Sequence, residues 1–174
     1  MGGSVISFKY VLTNFNHGTP LSVPESWEKG MPTVDRSAMV RHTDRQMFDL
    51  VNDFEQYPEF LPNCRQAHTV EQGERHLIGE LTLGKGGIEQ TFRTRNDLIF
   101  YDRINLSLAS GPFRRFEGYW KFTALDESSC RVELHLEFEF SSRLLGMAFG
   151  RLFNQIAGQL VNAFIKRADE VYGR

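Results

Sequence analysis

The chain is poor in the residues that build reactive or cross-linked scaffolds. It has 2 cysteines in 174 residues. Cys64 and Cys130 are too few and too far apart for a disulfide framework or a metal cluster, and they read as two reduced thiols of a cytoplasmic protein. The 5 histidines (His17, His42, His68, His76, His135) form neither HxxxH nor HExxH, which removes the common zinc-hydrolase arrangement. No apolar run is long enough for a membrane-spanning helix. GxSxG, Walker and dinucleotide fingerprints are missing. Gly84-Lys85-Gly86-Gly87 lacks the Walker spacing and reads as a hairpin loop. The net charge of -2 gives no bulk attraction to nucleic acid, so only a local basic patch could provide one. There is no internal repeat.

Residues 1–30 lack periodicity, contain no Arg and show no apolar core after a basic start. They are neither a mitochondrial presequence nor a secretory signal. The organised pattern begins at Met31. Residues 1–30 are therefore expected to be a leader, disordered or upstream of the true start, with residues 31–174 as the domain.

What the chain has in abundance is phenylalanine: 15, against 5 Tyr and 2 Trp. Phe fills volume without a polar handle, so it builds a dense core or lines an apolar cavity. Winding Leu144–Tyr172 as a helix puts Phe149, Phe153, Ala157, Leu160, Val161, Phe164, Ala168 and Val171 on one face, over about 40 Å. Gly146 and Gly150 share that face, for close packing or to leave room for a ligand. Gly158 falls on the polar face, where the pattern gives it no use.

Before that helix, strands follow one another with short turns. Val34–Val40 is the first, and Thr43 with Gln46 forms a capping box for a short helix. Pro58 starts a second short helix and Pro62 ends it. Cys130 to Phe140 alternates most cleanly, with Val132, Leu134, Leu136, Phe138 and Phe140 against Glu133, His135, Glu137 and Glu139. On the strand from Ile88, Glu89, Thr91, Arg93, Arg95 and Asp97 form the polar side. The economical fold is α+β: a curved antiparallel sheet of about six or seven strands wrapped on the long C-terminal helix, closed by two short helices after the first strand.

Two features carry function. The first is an apolar cavity between sheet and long helix, lined by Phe54, Tyr57, Phe60, Leu61, Phe113, Phe116, Trp120, Phe149, Phe153, Ile156, Leu160 and Phe164. Within it Tyr57, Trp120 or Gln155 would meet a polar ligand group. The second is a set of basic residues near loops, Lys85, Arg93, Arg95, Arg114 and Arg115, suited to phosphate on RNA or lipid head groups. No catalytic set emerges, and the residues favour a binding protein over an enzyme.

Several segments carry a resemblance together: Ser37-Ala38-Met39-Val40, Tyr57-Pro58-Glu59-Phe60-Leu61-Pro62, Gly111-Pro112-Phe113, Trp120-Lys121-Phe122, Phe138-Glu139-Phe140, Ala148-Phe149-Gly150 and Arg167 through Tyr172. Over residues 31–174 the sequence resembles the ribosome association toxin (RatA) branch of the coenzyme Q-binding START-like family. That family belongs to the helix-grip, polyketide cyclase/dehydrase-like superfamily. The resemblance implies a helix-grip (START/Bet v 1-like) fold. It implies ubiquinone or a related isoprenoid lipid as a ligand that supports respiration, with no required cofactor. It also implies an alternative role as a toxin that binds the large ribosomal subunit and blocks subunit association. A small-molecule enzyme of the cyclase type is a further alternative. A cytoplasmic location follows, with transient contact at the inner face of the membrane.

Overall fold

The computed structural model describes residues 32–173, so the leader expected over residues 1–30 lies outside the described residues. Strand β1 (Thr33–Val40) leads into helix α1 (Asp44–Asn52), one tight turn (Phe54–Gln56) and helix α2 (Tyr57–Phe60). Then come β2 (Cys64–Gln72), β3 (His76–Lys85), β4 (Ile88–Ile99), β5 (Arg103–Ser110), β6 (Phe113–Ala124), β7 (Cys130–Phe140) and helix α3 (Arg143–Tyr172). The strands form one sheet in the order β1-β7-β6-β5-β4-β3-β2, with every neighbouring pair antiparallel. Thus β2 to β7 is a meander, and β1 returns to its far edge beside β7. The curved antiparallel sheet with one long helix and two short ones is the expected α+β helix-grip architecture.

Local chemistry explains the punctuation. Gly86 and Gly87 have φ of 60° and 84° and lie between the paired Lys85 and Ile88. Two successive positive φ values make the tight hairpin turn that matches the sheet twist. Thr43 Oγ1 accepts from the Gln46 N–H at 3.1 Å, and Gln46 Oε1 accepts from the Thr43 N–H at 2.9 Å. The capping box thus satisfies two amides that the first turn of α1 leaves free. Ser142 Oγ accepts from the Leu145 N–H at 3.2 Å and starts α3 one residue earlier than the periodicity indicates.

The inward face of α3 carries the buried Phe149, Phe153, Ile156, Ala157, Val161, Phe164 and Ala168. It packs against β1, β3, β4 and β7. Register irregularities interrupt the pairing at Cys64/Gln66, Thr69/Glu71, Arg93/Thr94 and Phe113/Arg115, where strands bend. A Cβ at Gly118 would collide with the His135 carbonyl oxygen, so glycine lets β6 and β7 approach there.

The helix glycines receive specific explanations. Cβ atoms at Gly146 and Gly150 would meet the Phe140 ring at 3.6 and 3.4 Å, an ordinary contact, so both positions pack on that ring. A Cβ at Gly158 would lie 3.2 Å from the Arg36 guanidinium, closer than an ordinary contact, while Arg36 Nε donates to the Gly158 carbonyl at 3.2 Å across the β1–α3 junction.

Candidate ligand cavity

Inward-facing residues of β3 to β7 and of α3 do not meet everywhere. Between them, with α1 and α2 closing one side, lies a cavity of about 70 Å³. One water needs only about 10–15 Å³ by the same measure, so the space holds more than a single water.

Nine of the twelve residues expected at the cavity line it: Phe54, Tyr57, Leu61, Phe116, Trp120, Phe153, Ile156, Leu160 and Phe164. The other three lie elsewhere. Phe60 sits behind Tyr57 and Phe164, edge-on to both at 5.9 and 5.1 Å, with the Arg167 guanidinium over its outer side at 5.5 Å. Phe113 is stacked on Phe140 at 5.0 Å and touches Phe92, Phe116 and Phe153 edge-on or tilted. Phe149 is fully buried between Phe140 and Phe153. A position on the inward face does not by itself reach empty space; these rings are spent on one another.

The polar inventory is short. Tyr57 donates its O–H to the Val51 carbonyl, and burial, followed by the nearby Cys64 and Asp53 charges, raises its pKa. Its hydroxyl is therefore a neutral structural donor. Gln155 is exposed and faces away. Trp120 lines the cavity. Thr94 and Asn96 were not among the expected residues, yet both line the cavity, with Thr94 Oγ1 donating to Asn96 Oδ1 at 2.9 Å. Their signal is parity: if Arg93, Arg95 and Asp97 point out, Thr94 and Asn96 must point in with Phe92 and Leu98.

Among the described residues no Asp, Glu, His, Lys, Arg or Cys lines this space. Burial pushes the Cys64 thiol up to about 11. Burial, with Asp44 nearby, does the same for Cys130, also to about 11. Neither is a thiolate nucleophile near neutral pH. Among the described residues no cluster of three or more His, Cys, Asp or Glu could hold a metal ion. The cavity can bury an apolar body and offer it a few hydrogen bonds. It supplies no general base.

The expected basic patch is internally neutralised. Arg93 Nε meets Glu80 at 2.6 Å, Arg95 meets Asp97 at 3.0 Å and Arg114 meets Glu139 at 3.6 Å. Arg115 contacts Glu117, with Glu137 at 3.8 Å. Only Lys85, at the β3–β4 hairpin tip, has no carboxylate partner among the described residues. Spacing along one strand showed the arginines; the acids come mostly from neighbouring strands.

The chain matches the family described as "Polyketide cyclase / dehydrase and lipid transport" over residues 25–165. It is 49% identical over 143 residues to the "Ribosome association toxin RatA" of Vibrio cholerae, a match covering 82% of this chain and 99% of that protein. It is 25% identical over 130 residues to the mitochondrial "Coenzyme Q-binding protein coq10" of Schizosaccharomyces pombe, covering 70% and 77%. The Zhui aromatase/cyclase from Streptomyces sp. R1128 shares the fold, with a TM-score of 0.67 at 18% identity over 80% of this chain and 94% of that one. Among the described residues no helix is long and apolar enough to cross a membrane. With a family match spanning most of its length and a relative almost half identical, the chain belongs to the polyketide cyclase/dehydrase and lipid transport family.

Proposed function

We propose that the chain binds ubiquinone or a similar isoprenoid lipid in the cavity and carries it in support of respiration, without turning it over. The observation behind this reading is the lining: aromatic and aliphatic side chains, a few hydrogen-bonding groups and no acid–base residue. A flat ring with an apolar chain suits such a space, whereas cyclase-type chemistry needs a proton acceptor that the lining lacks. The relative named as a coenzyme Q-binding protein agrees with it. Equilibrium dialysis against decylubiquinone tests it. Saturable uptake near one per chain is expected; non-saturable partitioning would remove the cavity from the account.

The same reading includes brief contact with a lipid surface, where ligand exchanges. Leu144 and Met147, at the start of α3, are 79% and 73% exposed and are flanked by Arg143 and Arg151. Apolar side chains between arginines suit an anionic bilayer surface.

A second reading is supported by the 49% identical relative named "Ribosome association toxin RatA": the chain acts on the ribosome and, as the sequence resemblance implies, binds the large subunit and blocks its association with the small one. Pairing of the four arginines makes the outer sheet face a weak electrostatic match for RNA. Co-sedimentation with isolated large subunits at graded salt tests this reading. Binding that is retained when Arg93 and Arg95 are both changed to Glu would place the contact elsewhere on the chain. No co-sedimentation at low salt would end the reading.

A further inference from the structure

The inward row of β4 is Phe92, Thr94, Asn96 and Leu98, all buried. Thr94 stands between Gly79 of β3 and Leu108 of β5, and Asn96 between Leu77 and Leu106. No other polar side chain occupies either position of the neighbouring strands. Thr94 is 4% and Asn96 2% exposed.

The hydrogen-bond count at this pair is incomplete. An Asn side chain offers one carbonyl oxygen and two N–H donors. The Thr94 O–H takes the Oδ1 side at 2.9 Å. No described residue pairs with the Nδ2 side, which is not among the enclosed polar atoms left without a partner, and both residues border the cavity, so the donor opens onto that space. A donor that opens onto a cavity is met there by water or by a ligand. Folding alone gains nothing here, because an apolar residue of similar shape would leave no donor unmet. Thr94 also fixes which edge of the amide is presented: with Oδ1 held, the nitrogen edge is left for the cavity.

We propose that Thr94 and Asn96 are the head-group subsite of the cavity. Asn96 Nδ2–H donates to a carbonyl oxygen of the ligand, and Thr94 is the positioning residue that orients the amide. The proposal rests on the lipid-binding reading above and narrows it: the ligand is an amphiphile with a ring carbonyl, not a plain hydrocarbon or an acyl chain alone. A donor-only edge reads an acceptor.

The test compares two probes with the same chain length: decylubiquinone, which has ring carbonyls, and 1-phenyldecane, which has none. Wild type, Asn96→Leu and Thr94→Val are titrated with each, and the thermal midpoint of each variant is recorded. Asn96→Leu is expected to lose about tenfold or more in affinity for decylubiquinone, to bind 1-phenyldecane as wild type does, and to melt no lower than wild type. Thr94→Val shows a smaller loss, again for the quinone only. If Asn96→Leu does not fold, Thr94→Val, nearly the same shape, decides alone. Undiminished quinone binding overturns the proposal and leaves the pair as merely hydrated. Equal loss of both probes also overturns it, as a packing effect. Uptake of neither probe by wild type removes the lipid-binding reading itself, and the subsite with it.

Discussion

The ring of Phe54 lies where a Cβ on Gly79 would stand. Phe54 belongs to the turn between α1 and α2, and Gly79 to the inward face of β3. Phe54 is stacked on Tyr57 at 4.7 Å and borders the cavity, so it cannot retreat without disturbing that wall. Gly79→Ala is therefore expected to lower stability by about 1–3 kcal/mol through overpacking and to weaken decylubiquinone uptake. Urea denaturation with a parallel titration checks both; a wild-type midpoint would show that the ring has room to move.

Gly146 gives the opposite sign. A Cβ there meets the Phe140 ring at a comfortable 3.6 Å, and alanine removes the conformational penalty of glycine within α3. Gly146→Ala should stabilise by about 0.5–1 kcal/mol. A destabilised variant would mean that the first turns of the helix need the open space.

Much of this architecture is legible along the chain. The alternation in β7, the capping box at Thr43 and the face of α3 as far as Ala168 each depend on local spacing and appear where the spacing puts them; Val171, expected on the same face, lies in the last turn and is exposed. What spacing cannot carry is register and depth. Arg93 is paired with Glu80 only because β3 and β4 align those residues. Phe149 and Phe153 share one helix face, yet one is enclosed by rings and the other borders a void. Gly158 has its explanation in Arg36, 122 residues away. Thr94 and Asn96 were within reach of simple parity but are hidden by the outward charges that dominate their strand.

On the outer face, His135 Nδ1 lies 2.6 Å from Asp35 and its Nε2 lies 3.2 Å from Glu137. Burial lowers the imidazole pKa, but the hydrogen bonds and charges of the two carboxylates outweigh this and hold it above its ordinary 6.5. The folded state thus favours the protonated ring. Its contribution is complete below the unfolded value and fades as pH rises through the folded one. Because Asp35 is largely exposed, the amount stays below about 1 kcal/mol. Wild type should exceed His135→Gln in stability at pH 5.5 and lose that margin by pH 8.5. A margin that grows with pH would contradict the sign.

Contact with a lipid surface is tested at the start of α3. Replacing both Leu144 and Met147 with Glu should abolish flotation with vesicles of anionic phospholipid while leaving uptake of decylubiquinone in detergent unchanged. Flotation equal to wild type would move the contact elsewhere.

The most direct test is what the protein holds when it leaves the cell. Ala157 lines the cavity and is 1% exposed, so Ala157→Leu fills space with an apolar group and introduces no charge. The purified protein and this variant are extracted with organic solvent, and the extracts are analysed by mass spectrometry. An isoprenoid quinone near one per chain in wild type, strongly reduced in a variant of unchanged thermal midpoint, is the expected result. Equal quinone in both, or a wild-type extract that stays empty even after incubation with decylubiquinone, would contradict the lipid-carrying cavity.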